Sequence, residues 1–324
     1  MYKCEQLAVI IPTRNRPEKV RTLLKSLVAQ GQLPGRILIV ASGDNIGAVV
    51  REFTGSLPVE YVFTETGGQI HQRNLGIAML DDRTELVASM DDDVVLDPGA
   101  IESMIAFWNT VSADTAGVSF NITNVPSYRN SGLLRLAQMS SPRQGTVLRS
   151  GYNTACSPVE ENIRTQWLCG GATVWKQSVL KQNTHSPVNS RWAICEDLIF
   201  SYPIGKNHPL YVCAAAKVRH EHVYDHAKKM KHFYYGYTTT LWRFYFEELH
   251  PELSRIAFFW MILCQILARL INGVFFLKGE PLQYAAGQIF ALIRGGLVLL
   301  QNESLLTLLN EPLASSSSKK GERS

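Results

Sequence analysis

Leu7-Ala8-Val9-Ile10-Ile11 is an unbroken apolar run closed by Pro12, which predicts a short buried strand. After the turn-forming stretch Pro12 to Pro17, the apolar residues Val20, Leu23, Leu24 and Leu27 recur at helical spacing. Arg36 to Val40 and Val59 to Phe63 predict two more strands, residues 69–80 a helix, and Leu86 to Met90 a fourth strand that runs directly into Asp91-Asp92-Asp93. Strands alternating with helices in this way predict an α/β fold, a mostly parallel sheet with helices on both faces. Ligands of such sheets bind beyond the carboxyl ends of the strands. The loops Pro12 to Arg16, Ser42 to Asp44 and Asp91 to Asp93 all fall there.

From about residue 116 to 165 the pattern loosens into stretches containing Ser, Asn, Pro and Arg, read as long surface loops over an extension of the sheet. Order resumes at Trp167-Leu168-Cys169-Gly170-Gly171-Ala172. Helical stretches follow near 176–182 and from Glu196-Asp197, and Leu210 to Val218 reads as another strand. Between 217 and 243 basic residues mix with Tyr, Phe and Trp. Residues 256–277 are then nearly all apolar, interrupted by Gln265, Arg269 and Asn272, and 284–300 form a second apolar stretch carrying Gln288 and Arg294. The first is long enough to cross a hydrocarbon core, but Arg269 near its middle is costly there, and the second is short for a span. Two interfacial or re-entrant helices are the expectation, with Phe258, Phe259, Trp260, Phe275 and Phe276 at the lipid boundary. A helical cap or a dimer interface is the alternative.

With 46% hydrophobic and 19% charged residues the chain has ordinary globular composition. A formal charge of +4 suits anionic lipid or phosphate but is too small to indicate nucleic acid, so no nucleic-acid partner is expected. The six cysteines are scattered without a C-x-x-C pair, so neither a zinc ribbon nor a disulfide framework is indicated, and a reducing compartment is the simpler reading. The apolar run at the start is too short for a signal-peptide core, so the chain is expected to stay in the cytoplasm.

Three consecutive carboxylates at the end of a buried strand repel one another unless a cation neutralises them. If the segment is extended, Asp91 and Asp93 face the same way and share one ion while Asp92 turns aside. Mg²⁺ or Mn²⁺ is the natural choice, because these ions take oxygen ligands and often bridge to phosphates. A solvated acidic turn is the plainer reading. Arg73 and Asn74 lie on a helix approaching the same end of the sheet, where Arg73 suits a phosphate or the aspartates themselves. Glu196-Asp197 fits a helix N-terminus as well as a catalytic pair. His220 and His222 alternate after a strand, and Lys228, Lys229 and Lys231 suit either a diphosphate or a basic face beside a membrane.

Five segments in order resemble the family 2 glycosyltransferases of GT-A fold over roughly residues 7–245. Val9-Ile10-Ile11-Pro12-Thr13-Arg14-Asn15-Arg16 is similar to the family's first strand and nucleotide-binding loop, and Gln72-Arg73-Asn74-Leu75-Gly76 to its A-R-N-x-G segment. Met90-Asp91-Asp92-Asp93 is similar to its D-x-D metal motif, Gly170-Gly171-Ala172 to a small-residue loop below the acceptor site, and Glu196-Asp197 to its E-D pair. The resemblance implies transfer of a sugar from a nucleotide diphosphate donor to a hydroxyl acceptor with inversion. It implies Asp197 as catalytic base assisted by Glu196, and Asp91, Asp93 and His220 as ligands of Mn²⁺ or Mg²⁺, with His222 in reserve. Pro12, Thr13, Arg14, Arg16, Ser42, Asp44, Arg73, Asn74 and Asp92 would line the donor site, and Gly170 and Gly171 the acceptor site. The family often has an acidic residue directly after its second strand to read uracil; here Val40-Ala41-Ser42-Gly43-Asp44 offers Ser42 or Asp44 instead.

The implied division is a nucleotide-sugar-binding part over 1–115, an acceptor-binding and catalytic part over 116–249, apolar membrane-associated helices over 250–312 and a disordered tail over 313–324. The expected setting is the cytoplasmic face of a membrane, peripheral or monotopic, with a glycan or lipid-linked glycan as acceptor, as in surface polysaccharide or glycolipid assembly. A D-x-D-x-V run also resembles the nucleophile motif of haloacid-dehalogenase phosphohydrolases, but here it follows three strand–helix units instead of opening the fold. A non-catalytic membrane-bound protein of the same fold would not need Asp91, Asp93 and Asp197. A nucleotidyltransferase would want a glycine-rich first loop, and Pro12 to Pro17 has no glycine.

Overall fold

In strand β1 (Leu7–Arg14) alternate side chains enter different cores. Leu7, Val9 and Ile11 pack on one face of the sheet, and Ile10 on the other. The computed structural model describes residues 1–184, 194–221 and 231–311. It comprises two units, Met1–Pro187 with Glu196–Asp225 and Val188–Cys195 with His226–Ser324. His222, Lys228, Lys229 and the tail expected over 313–324 lie outside the described residues.

The first unit is built on a nine-stranded sheet. β1, β2 (Arg36–Ser42), β3 (Val59–Phe63) and β4 (Leu86–Met90) are parallel neighbours in the order β3-β2-β1-β4. The order continues through β8 (Ala172–Lys176), β6 (Gly117–Ile122), β9 (Leu210–His220) and β5 (Val94–Leu96), with β7 (Ile163–Thr165) also paired to β9. β6 and β9 run with β1, whereas β5, β7 and β8 are reversed, so the sheet is mostly parallel. Helices α1 (Pro17–Val28) and α4 (Ala100–Trp108) bury Leu23, Leu24, Ile101 and Met104 on one face. On the other face α3 (Gln69–Ala78), α6 (Gln177–Gln182) and α7 (Glu196–Asn207) contribute Leu75, Leu180 and Ile204. The short helix α2 (Gly47–Arg51) adds Val50 beside β3.

The segment expected as surface loops contains β6, a strand in the interior of the sheet whose six residues are all buried. Its polar residues hid it: Ser119 and Asn121 are fully buried but satisfied. The Ser119 hydroxyl donates to the Ala172 carbonyl (3.1 Å), and the Asn121 amide donates to the carbonyls of Val159 (2.8 Å) and Ala214 (3.1 Å). Apart from the short helix α5 (Gly132–Leu136) and strand β7 at its end, the remainder of that segment is irregular.

The second unit is helical: α8 (His232–Leu249), α9 (Arg255–Phe275), α10 (Gly279–Leu300) and α11 (Leu306–Asn310). Ser254 caps α9, its hydroxyl accepting from the Ala257 N–H. α9 and α10 are long and apolar enough to cross a membrane, and only 28% and 33% of their most apolar windows is buried. Their polar residues turn toward each other. Gln288 donates to Gln265 at 3.0 Å, and the Arg269 guanidinium lies 4.0 Å from the centre of the Tyr284 ring.

Candidate active site

β4 delivers Asp91, Asp92 and Asp93 to the carboxyl edge of the sheet, where the chain turns instead of continuing extended, the Val94 N–H bonding to the Asp91 carbonyl. The turn is closed by β5, whose Val94 pairs with His220 at the end of β9, while the Glu221 N–H donates to the Asp93 carbonyl. That register sets His220 Nε2 at 2.8 Å from Asp93 Oδ1 and 3.9 Å from Asp91 Oδ2. Asn124 holds the His220 backbone from both sides, donating to its carbonyl (3.0 Å) and accepting from its N–H (2.9 Å).

One ligand atom each from Asp91, Asp93 and His220 lies within 4.8 Å of the others. Two carboxylate oxygens and one imidazole nitrogen form a donor set that fits a divalent ion such as Mn²⁺. Burial pulls the His220 imidazole toward neutrality, but Asp93, Asp91 and Asp92 outweigh it and hold its pKa above the ordinary value. Asp92 turns the other way. It accepts from the Thr13 hydroxyl (2.6 Å) and from Arg16 (2.9 Å), and burial keeps its carboxyl above the usual range against those contacts.

Arg73 connects this cluster to the Glu196-Asp197 pair. Its side chain is 3% exposed and reaches Asp91 at 2.9 Å, Glu196 at 3.1 Å and the Gly170 carbonyl at 3.3 Å. Its surroundings are carboxylates, the second of the two pairings its position allowed. Glu196 and Asp197 open α7. Asp197 accepts from the N–H groups of Leu198 (2.8 Å) and Gly170 (3.3 Å). Burial first, and the neighbouring Glu196 charge second, push its pKa up to about 6, while the two N–H groups and Arg73 oppose the shift.

Gly170 and Gly171 lie between the two groups. The Gly171 carbonyl accepts from the Asp91 N–H, and a Cβ on Gly171 would stand 2.6 Å from Asp91 Oδ2. The Asp91 carboxylate is also anchored by Arg73 and Gln69, so it cannot swing away freely. Gly171→Ala is therefore expected to displace Asp91 and weaken Mn²⁺ binding by about 10–100-fold, the usual cost of disturbing a ligand's support. Titration calorimetry with Mn²⁺ checks this, with Gly170→Ala as the milder comparison, since its Cβ would meet Asp197 Cβ at 3.1 Å.

The other expected donor-site residues lie along the same edge. Pro12 and Thr13 are buried in β1, Arg14 is exposed beside Gly67, and Asn74 follows Arg73 on α3. Ser42 is fully buried at the end of β2, its hydroxyl without a hydrogen-bond partner, and Asp44 is exposed with its N–H bonded to Asn15 (2.7 Å). Lys231 is an exposed residue of the second unit. Sequence reasoning did not name Gln69, and gave Gln72 only as the first residue of the A-R-N-x-G-like segment, without a role. Gln72 is buried and donates to the Thr13 carbonyl (2.7 Å) and the Val40 carbonyl, tying the ends of β1 and β2 together. The signal was present: Gln69, Gln72, Arg73 and Gly76 form a polar stripe at i, i+3, i+4 and i+7, where an inward face would ordinarily be apolar.

Residues 8–159 match the family model described as Glycosyl transferase family 2. No curated protein is significantly similar to the chain. Among solved structures, S. aureus TarS residues 1-349 aligns at 18% identity and TM-score 0.46, over 64% of this chain and 58% of that one. S. aureus TarS aligns at 17% identity and TM-score 0.49, over 82% of this chain and 43% of that one. The chain thus spans about half the length of these two. The mannosyltransferase PcManGT from Pyrobaculum calidifontis, solved in complex with GDP-Man and Mn²⁺, aligns at 13% identity and TM-score 0.53, over 92% of this chain and 88% of that one. The family match places a glycosyl transferase family 2 domain at residues 8–159, and the mostly parallel sheet with its flanking helices agrees with a GT-A fold.

Proposed function

We propose that this protein transfers a sugar from a nucleotide diphosphate donor to a hydroxyl acceptor with inversion at the anomeric carbon, using Mn²⁺ or Mg²⁺. One observation carries the reading: Arg73 joins Asp91, beside Asp93 and His220, to Glu196 of the Glu196-Asp197 pair at one edge of the sheet. The mannosyltransferase of similar fold was solved with GDP-Man and Mn²⁺, which agrees with this assignment.

Asp91, Asp93 and His220 would hold the metal, which when bound neutralises charge on the departing diphosphate. The end of β1 and the turn after it, Pro12 to Arg16, with Ser42, Asp44, Asn74 and Asp92, would surround the nucleotide, while Arg73 is held by its carboxylate partners. Asp197 takes the proton of the acceptor hydroxyl as that oxygen attacks, and the Arg73–Glu196 pair holds the start of α7 in place. Gly170 and Gly171 let Asp197 and Asp91 approach the backbone more closely than a Cβ would allow. Incubation with a panel of nucleotide sugars and Mn²⁺ tests this: metal-dependent nucleotide release from at least one donor is the expected result, and no release from any donor rejects it. Asp93→Asn is expected to raise the metal concentration needed for half-maximal activity by about 10–100-fold. An unchanged metal requirement would remove Asp93 from the ligand set.

The setting proposed is the cytoplasmic face of a membrane, with a lipid-linked or polymeric glycan as acceptor in surface polysaccharide or glycolipid assembly. Support comes from α9 and α10, whose exposed side chains include Phe259, Trp260, Leu263, Leu267 and Ile293, while Gln265, Arg269 and Gln288 face inward. Full-length protein is expected in the membrane pellet on fractionation, and recovery in the supernatant would contradict the setting.

A further inference from the structure

Between Asp114 and Glu160 the chain has no Asp, Glu or Lys, yet it carries Arg129, Arg135, Arg143 and Arg149. All four arginines are exposed, and among the described residues none of them pairs with a carboxylate. In their midst is α5, whose Leu133 and Leu136 stand 77% and 74% exposed, one helical turn apart. With Leu134, 39% exposed, they make a contiguous apolar patch among cations that lack carboxylate partners, the kind of patch that marks an interaction surface.

The segment is folded and tied to the site. Asn124, at its start, clasps the His220 backbone. The Tyr128 hydroxyl donates to the Ser141 carbonyl (2.6 Å) and accepts from the Ser141 N–H (2.8 Å), and the Ser150 hydroxyl donates to the Gln138 carbonyl (2.8 Å). β6 ends at the same edge of the sheet as β4, so the segment leaves the sheet beside the proposed metal ligands, where Asn124 meets His220.

We propose that residues 129–149 dock on an anionic lipid surface, the arginines meeting phosphate headgroups and Leu133 and Leu136 entering the acyl boundary. Both chemistries are required. A soluble polyanion would satisfy the arginines but leave the leucines in water, and an apolar protein partner would bury arginines without a counter-charge. The inference deepens the membrane-side reading and rests on it for its biological sense. It adds a contact made by the catalytic domain itself, independent of α9 and α10.

Amide hydrogen exchange on the full-length chain, with vesicles of phosphatidylcholine alone or mixed roughly three to one with phosphatidylglycerol, separates the two claims. The expected result is slowed exchange across 129–149 on the mixed vesicles only. That slowing should weaken by roughly fivefold or more for each arginine changed in Arg129→Gln or Arg135→Gln, and also in 1 M salt. Leu133→Ser should weaken it as well, on a protein whose exchange elsewhere is unchanged. If α9 and α10 are protected on both vesicles while 129–149 exchanges at one rate on both, the inference is overturned and the membrane setting stands. Slowing at 129–149 without protection of α9 and α10 supports the inference and removes those helices as the anchor. Slowing by soluble polyphosphate but by neither vesicle would overturn it in favour of a soluble polyanion.

Discussion

Replacing Asp197 by Asn is expected to lower turnover by about 10²–10⁴-fold, the usual contribution of a positioned general base, while leaving donor and metal binding nearly intact. Stability should move the other way. The folded protein holds the Asp197 pKa at about 6 against an ordinary 3.8, so between those values it binds more protons than the unfolded chain does. Stability contributed by the protonated form is therefore fully present below about pH 4 and is lost as pH rises through about 6. At neutral pH the ionised carboxylate is a cost, bounded by about 3 kcal/mol for a shift of this size. Asparagine keeps an acceptor for the Leu198 or Gly170 N–H and removes that cost. The variant should be that much slower yet melt at or above the wild-type temperature at pH 7.5. In the wild type, kcat should rise with pH through about 6. An Asp197→Asn protein that keeps its activity, with Glu196→Gln losing it, would transfer the role of base to Glu196.

Arg73→Met is expected to lose about 3–5 kcal/mol of stability, the penalty for leaving buried charges without their partner. Arg73 is 3% exposed and its carboxylate partners are only 22% and 11% exposed, so water can replace little of what the guanidinium supplies. Arg73→Lys should recover part of the loss, since one ammonium cannot span Asp91 and Glu196 as the planar fork does. Urea denaturation measures the stability. In the folded fraction of Arg73→Lys, the pH at which activity is half-maximal should move upward, because Arg73 opposes the rise of the Asp197 pKa. A residue that served only to bind phosphate would raise the donor KM and leave stability and pH profile unchanged.

The parts of the fold that showed in the sequence were those where one rule acted alone. β1 to β4 read clearly because their side chains are almost entirely apolar or cleanly bounded, and the Asp91–Asp93 run stood out because no packing role explains it. β6 did not, because Ser119 and Asn121 are polar positions whose hydrogen bonds come from residues 53 and 93 positions away in sequence. β5 was invisible for a similar reason: three residues pair with β9 across more than a hundred positions, and that pairing is what brings His220 to Asp93. Arg73 could be named from the sequence but not assigned, since phosphate and carboxylate ask for the same guanidinium. Only the folded distances to Asp91 and Glu196 separate the two.

The most direct test of the account is the anomeric configuration of the transferred sugar. With a donor identified from the nucleotide-sugar panel, proton NMR of the first product formed in Mn²⁺ gives the configuration at the anomeric carbon. A single displacement with Asp197 as base on the face opposite the diphosphate predicts inversion relative to the donor. Retention would contradict it.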